Sequence, residues 1–192
     1  MMLTLERIVG VGHVKWLWVS VGVVIADQLT KLAVVLHFGR YESARDFWAH
    51  TAGGELPRGL YQHLELLPVL DLRLMVNTGA AFSLLAEGGG WQRWFFIVLA
   101  VAVIGFILYW LRTLPAKGHS VLAMGLALVL GGAFGNLIDR SAYGWVIDFI
   151  HVHWHDAYFP AFNLADSAIT VGAVILFVDA FFGSGHKAAE RN

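Results

Sequence analysis

Four long apolar runs divide the chain, and the stretches between them are mixed or polar. Trp16–Leu36 is 21 residues long, which as a helix reaches about 31 Å, enough to cross a hydrocarbon core. Trp94–Leu111 contains only apolar or small residues and no charge, with Trp91 and Trp94 at one end and Tyr109 and Trp110 at the other. Paired aromatic ends of this kind mark the two membrane–water interfaces. Val121–Ile138 is rich in glycine, which lets helices approach closely. Ala161–Phe182 is the fourth run, and Pro160 before it suits a helix start. The pattern predicts four membrane-spanning helices at 16–36, 94–111, 121–138 and 161–182 in a single domain. The first run is too long for the apolar part of a signal peptide and lacks a small-residue cleavage site after it. Met1–Lys15 reads as a short cytoplasmic leader and Gly183–Asn192 as a polar tail.

The stretches between the spans differ from one another. Within 37–90, the first half has charges, glycines and a proline without clear periodicity, and reads as a surface loop or insertion. Leu64–Leu74 partly alternates apolar and charged positions, which is strand-like. Asn77-Thr78-Gly79 is a turn signal, followed by the small apolar run Ala80–Leu85 and by Gly88–Gly90. A small sheet or hairpin is expected, lying at the membrane surface, because open strand edges are not tolerated in lipid. The stretch 139–160 is expected to be a loop.

Composition agrees with a membrane location. The chain is 58% hydrophobic and 14% charged, against about 25% charged in soluble domains. Its net charge of −1 gives no field to attract nucleic acid. Cysteine is absent, which excludes disulfides, thiolate metal sites and a cysteine nucleophile. Four spans put both termini on one side. Lys and Arg number six there (Arg7, Lys15, Arg112, Lys117, Lys187, Arg191) and six opposite (Arg40, Arg45, Arg58, Arg73, Arg93, Arg140). The basic 112–119 connection is short, so the positive-inside rule favours cytoplasmic termini. Both long loops and the polar ends of spans three and four then face outward.

Ionisable groups in or beside such spans point to function. Asp27 and Lys31, at i and i+4, share one helix face, and Gln28 and Thr30 make that region polar enough to turn into the bundle. Asn136, Asp139 and Arg140 share a face at the end of span three, as do Asn163, Asp166 and Thr170 at the start of span four. Asp148 lies between. Two carboxylates in one partly dry site share a proton, which suits peptide hydrolysis: one activates water and the other polarises the carbonyl. Asp139 has Arg140 beside it and is expected to be ion-paired. Asp156, in open loop, is expected to be an ordinary solvated residue. Asp148 and Asp166 have no Lys or Arg nearby in sequence.

Other chemistries are also open. His151, His153 and His155 alternate, and an extended chain would put them on one face, as in a histidine metal site. Interfacial histidines among aromatics are the simpler expectation. A serine–lysine dyad would use Lys31 with Ser83 or Ser167. A transport protein with a proton path would place polar groups at several depths, whereas here they gather near the outer ends, Asp179 excepted.

Five blocks carry a resemblance: Asp27-Gln28-Leu29-Thr30-Lys31, Asn77-Thr78-Gly79-Ala80-Ala81-Phe82-Ser83, Gly135-Asn136-Leu137-Ile138-Asp139-Arg140, Val146-Ile147-Asp148-Phe149 and Phe162-Asn163-Leu164-Ala165-Asp166-Ser167. In this order the chain resembles lipoprotein signal peptidase, or signal peptidase II, a family of bacterial membrane aspartic proteases. The resemblance implies an α-helical integral membrane protein with four transmembrane helices and an extracytoplasmic β-cradle, in the bacterial inner membrane. It implies cleavage of prolipoprotein signal peptides before a diacylglyceryl-modified cysteine, with membrane lipid around the protein, no metal or organic cofactor, and sensitivity to globomycin-type cyclic peptides. By motif, Asp148 and Asp166 would be the catalytic pair. Asn77, Asn136, Arg140 and Asn163 would support them, with Asp139 and the Asp27/Lys31 pair as structural or supporting positions. Two departures stand out. The segment Arg40–Gln62 is longer than expected for the family's first outer loop, and Val76 precedes Asn77 where arginine is frequent.

Overall fold

A computed structural model describes residues 15–79, 91–115, 118–155 and 157–189, with side chains described up to residue 182. Its elements run α1 (Leu17–Gly39), α2 (Ala44–Thr51), β1 (His63–Leu67), β2 (Leu70–Asn77), α3 (Trp91–Thr113), α4 (Ser120–Ala142), β3 (Val146–Trp154), β4 (Ala157–Tyr158) and α5 (Leu164–Ala189). The expected leader, apart from Lys15, lies outside the described residues, as do Ala80–Leu85, Gly88–Gly90 and Asp156. The four long helices are each long and apolar enough to cross a membrane.

Their ends differ from the apolar runs for local reasons. α4 continues past Ile138 and carries Asp139 and Arg140 within its last turn. α5 starts at Leu164, not at Pro160, because Asn163 and Asp166 form a reciprocal cap. Asn163 Oδ1 accepts from the Asp166 backbone N–H at 2.9 Å, and Asp166 Oδ2 accepts from the Asn163 N–H at 3.2 Å. That arrangement satisfies two donors a helix start leaves open. Past Phe182, α5 continues as helix to Ala189 where a polar tail was expected.

The expected loops also contain structure. Within 40–62, Ser43 caps the short helix α2 by accepting from the Asp46 N–H at 3.2 Å. The strand expected over 64–74 is two strands, with a hairpin turn at residues 68–69 between β1 and β2, and the turn expected at Asn77 is present, with Asn77 Oδ1 accepting from the Gly79 N–H. The sheet takes its third and fourth strands from the 139–160 stretch, in the antiparallel order β1-β2-β3-β4. β3 was expected as loop: its second half, Ile150 to Trp154, alternates apolar and polar positions as a strand does, but its first half, Val146 to Phe149, is buried and shows no such pattern. A bulge between Leu72 and Met75 shifts the register so that Met75 pairs with Asp148 and Asn77 with Val146.

Packing is organised on α4, which contacts α1, α3 and α5. Glycines make this possible. A Cβ on Gly135 would lie 2.6 Å from Asp27 Oδ2, and one on Gly132 would strike the Ala165 carbonyl. The sheet sits where α1 and α4 end and α5 begins, over a core of Val35, Phe38, Phe47, Leu74, Trp145, Ile147 and Phe149.

Candidate active site

Asp148 and Asp166 reach the site from different elements. Ile147 and Phe149 belong to the core under the sheet, so alternation along β3 sends Asp148 to the opposite face. There it is 2% exposed. Asp166 stands on the first turn of α5, held by the reciprocal cap.

Asn163 joins them. Its Nδ2 donates to Asp148 Oδ1 at 2.8 Å, and it also lies 3.1 Å from Asn136 Oδ1 and 3.2 Å from the Ile147 carbonyl. Its Oδ1 and backbone N–H both engage Asp166. Asn136, on α4, donates from Nδ2 to Asp166 Oδ1 at 2.7 Å. Asn77, at the end of β2, accepts from the Gly79 N–H at 2.8 Å and uses its amide side on Asp148. Burial, followed by the charge of Asp166, pushes Asp148 up to about 7. Both carboxylates are thus fixed by neutral amides. Arg140 lies within electrostatic reach of Asp166 and Asp148, its guanidinium 4.9 Å from the Phe96 ring centroid.

A buried ion network stands behind the pair. Lys31 Nζ contacts Asp27 Oδ2 at 2.8 Å, Asp139 Oδ2 at 2.9 Å and Asn136 Oδ1 at 3.2 Å. These use all three ammonium hydrogens. Asp27 Oδ1 accepts from the Ala165 N–H at 2.9 Å, which is another open donor of α5, and Asp139 Oδ2 accepts from the Ile147 N–H at 3.1 Å. The network therefore fixes the backbone one residue before each of Asp166 and Asp148. Asp139 is ion-paired as expected, but to Lys31 and not to Arg140. On α4 the Asp139 side chain points toward α1, and sequence adjacency does not make two helical residues share a direction. Gln28 was missed as a site residue: its Nε2 lies 2.9 Å from Asp139 Oδ1 and 3.2 Å from Asp27 Oδ2. Its place one residue after Asp27, in a polar cluster within an apolar run, was the available signal.

The competing constellations do not assemble in the same way. β3 includes His151 and His153, but His155 has a positive φ of 53° and leaves the strand, so the three do not share a face. His153 Nε2 lies 3.5 Å from Asp71 Oδ2, and His151 stacks on Tyr158. Among the described residues no three His, Asp or Glu side chains converge as a metal would need. Lys31 is committed to its carboxylates, Ser167 Oγ donates to the Asn163 carbonyl at 2.9 Å, and Ser83 lies outside the described residues. Asp179 is half-buried, toward the far end of α5.

The family model of signal peptidase (SPase) II matches residues 19–182. The chain belongs to the signal peptidase II family. Curated relatives called lipoprotein signal peptidase include one from Pseudomonas fluorescens, 49% identical over 88% of this chain and 89% of its own length. Another, from Pseudoalteromonas translucida, is 42% identical over 90% and 91%. Among solved structures, a bacterial membrane enzyme determined by the in meso method at 2.3 Å resolution superposes with a TM-score of 0.67. It is 24% identical and covers 90% of this chain and 91% of its own, and it shares the fold. For a signal peptidase II the two carboxylates are the natural centre of attention, and the five sequence blocks converge around them where they are described.

Proposed function

We propose that Asp148 and Asp166 are the catalytic pair of this signal peptidase II. The enzyme is a multi-pass membrane hydrolase that removes signal peptides from prolipoproteins, as an aspartic protease. The observation that carries the residue assignment is Asn163, one side chain hydrogen-bonded to both aspartates. Its amide holds the Asp148 carboxylate at 2.8 Å and its oxygen takes the backbone N–H of Asp166 at 2.9 Å, so one side chain brings both residues to one site.

The pair holds one proton at neutral pH, because two carboxylates in one dry site do not both ionise cheaply. Asp148, pushed up to about 7, carries it and hydrogen-bonds the scissile carbonyl. Asp166 takes a proton from water as the oxygen attacks. In the collapse of the tetrahedral intermediate, protons return to the leaving amine. Arg140 supplies positive potential to the intermediate. Asn77, Asn136 and Asn163 hold the carboxylates, and the Asp27–Lys31–Asp139 network holds the backbone beneath them.

The scissile bond is the one before a diacylglyceryl-modified cysteine, with the lipid among the helices and membrane lipid around them. Both termini are cytoplasmic and the site opens at the outer face. The basic 112–119 connection and the polar cluster at the opposite ends of the helices support this orientation. A globomycin-type cyclic peptide would compete for the same space.

The test is cleavage of a diacylglyceryl-modified prolipoprotein by purified enzyme. Asp148→Asn and Asp166→Asn are each expected to lose at least about a thousandfold in rate. Retained cleavage by either variant would overturn the pair. Asp139→Asn is expected to lose less, or to lose through poorer folding seen as a lower unfolding midpoint.

A further inference from the structure

The segment 40–62 closes on itself. The Arg58 backbone N–H donates to Tyr41 Oη at 2.9 Å, the Arg58 guanidinium lies 4.5 Å from the Tyr41 ring centroid, and its Nη2 reaches Asp46 Oδ1 at 3.4 Å. These contacts tie the end of the segment back to its start and to α2. Phe47 on α2 is 1% exposed, while Trp48 beside it is largely exposed.

Both rings land on the elbow between α4 and β3. Phe47 lies 5.4 Å and Trp48 4.9 Å from the Tyr143 ring, and Tyr143 stacks on Trp145 at 4.8 Å with planes 20° apart. The elbow turns through Gly144, at φ +89°, a region that favours glycine. Among the described residues the Trp145 Nε1 has no hydrogen-bond partner, and its indole packs on the Tyr143 ring. Three residues past Trp145 is Asp148. Its neighbours Ile147 and Phe149 are anchored in the same core as Phe47.

We propose that Phe47 and Trp48 are positioning residues for Asp148, with α2 clamping the α4–β3 elbow so that the carboxylate meets Asn163 and Asp166. This rests on Asp148 being catalytic. The effect runs through placement: α2 has no described contact with either carboxylate, yet a displaced elbow moves the whole start of β3. Misplacement of a reacting group by a fraction of an ångström is costly in rate even where substrate binding is untouched.

Trp48→Ala is the informative variant, because a largely exposed ring can be removed without opening the core. In the prolipoprotein assay it is expected to lower kcat by about tenfold. KM is expected to stay within about twofold of wild type. The pH dependence of kcat, set by the proton on Asp148, is expected to move. Trp48→Phe is expected to restore most of the loss, and Phe47→Leu, which keeps the core filled, to reproduce the Trp48→Ala pattern. Unchanged kcat and pH profile, with only a lower unfolding midpoint, would reduce α2 to a structural appendage and overturn the proposal. A raised KM at unchanged kcat would do so too, by making α2 a substrate contact. Asp148→Asn in the same assay separates the two levels. If it cleaves normally, the catalytic assignment fails and the clamp with it. If it is inactive while Trp48→Ala matches wild type, the clamp alone fails.

Discussion

Asn163 shows how one residue can serve a site and a helix together. It caps α5 and bridges the two aspartates. Only Asp148 of the pair lies outside the spans, and its protonation has a consequence for stability. Its carboxyl titrates at about 7 when folded against a reference value of 3.8. Between those values the folded protein keeps a proton that the unfolded chain has released. Stability therefore falls as pH rises through that window, by at most about 4 kcal/mol. Asparagine cannot ionise and still offers Oδ1 to Asn163, so Asp148→Asn should be more stable than wild type at pH 8 by roughly 1–4 kcal/mol and little different at pH 4. Thermal unfolding in detergent at both values checks this, and an equal shift at the two would contradict it. Lys31 gives the opposite case. Lys31→Met would leave Asp27 and Asp139 buried without their cation, and should destabilise by about 3–5 kcal/mol, read from the same melts. At this scale the sequence carried the identities well and the partners poorly. Asp27 and Lys31 at helical spacing were read as one polar face turned into the bundle, where both are buried, but Asp139 was assigned the adjacent Arg140, since the crossing of α1 and α4 that brings Lys31 to it cannot be read from either helix alone.

The elements place these residues through close contacts at the centre of the bundle. α4 is rich in glycine where α1 and α5 cross it, and Gly135 packs so close to Asp27 that a methyl group there would overlap its carboxylate. Gly135→Ala should push Asp27 away from Lys31 and the Ala165 N–H, lowering stability by about 1–3 kcal/mol. Cleavage should fall along with it, since Ala165 adjoins Asp166. A wild-type melt and rate would mean that α1 simply shifts outward without disturbing the network. The apolar runs located all four spanning helices, because length and hydrophobicity decide that question without tertiary information. Strand β3 and helix α2 escaped notice for separate reasons. β3 does alternate over Ile150 to Trp154, but its first half is buried by neighbours from distant parts of the chain and gives no surface-strand pattern, so the stretch around Asp148 read as loop. α2 has only eight residues, too short for a periodic signal, and its stability comes from the Ser43 cap and from docking on Tyr143.

For the whole molecule, the unresolved physical question is which side of the membrane the sheet occupies. The charge count is even between the two sides, so orientation rests on the short basic connection between α3 and α4. The polar cluster, the sheet and α2 all lie at one end of the bundle, and the helix ends at Thr113 and Ser120 lie at the other. This separation allows a direct experiment, and the absence of cysteine from the sequence removes any background. Glu55 lies in the exposed segment after α2, its side chain 68% exposed. Thr113 closes α3 at the opposite end. With a single cysteine placed by Glu55→Cys, intact bacteria whose outer membrane has been permeabilised should react with a membrane-impermeant maleimide. With Thr113→Cys they should react only after the inner membrane is opened. The reverse pattern would put the carboxylate pair on the cytoplasmic side, before the substrate's cleavage site has crossed the membrane, and would remove the proposed orientation while leaving the chemistry of Asp148 and Asp166 to be judged by their own variants.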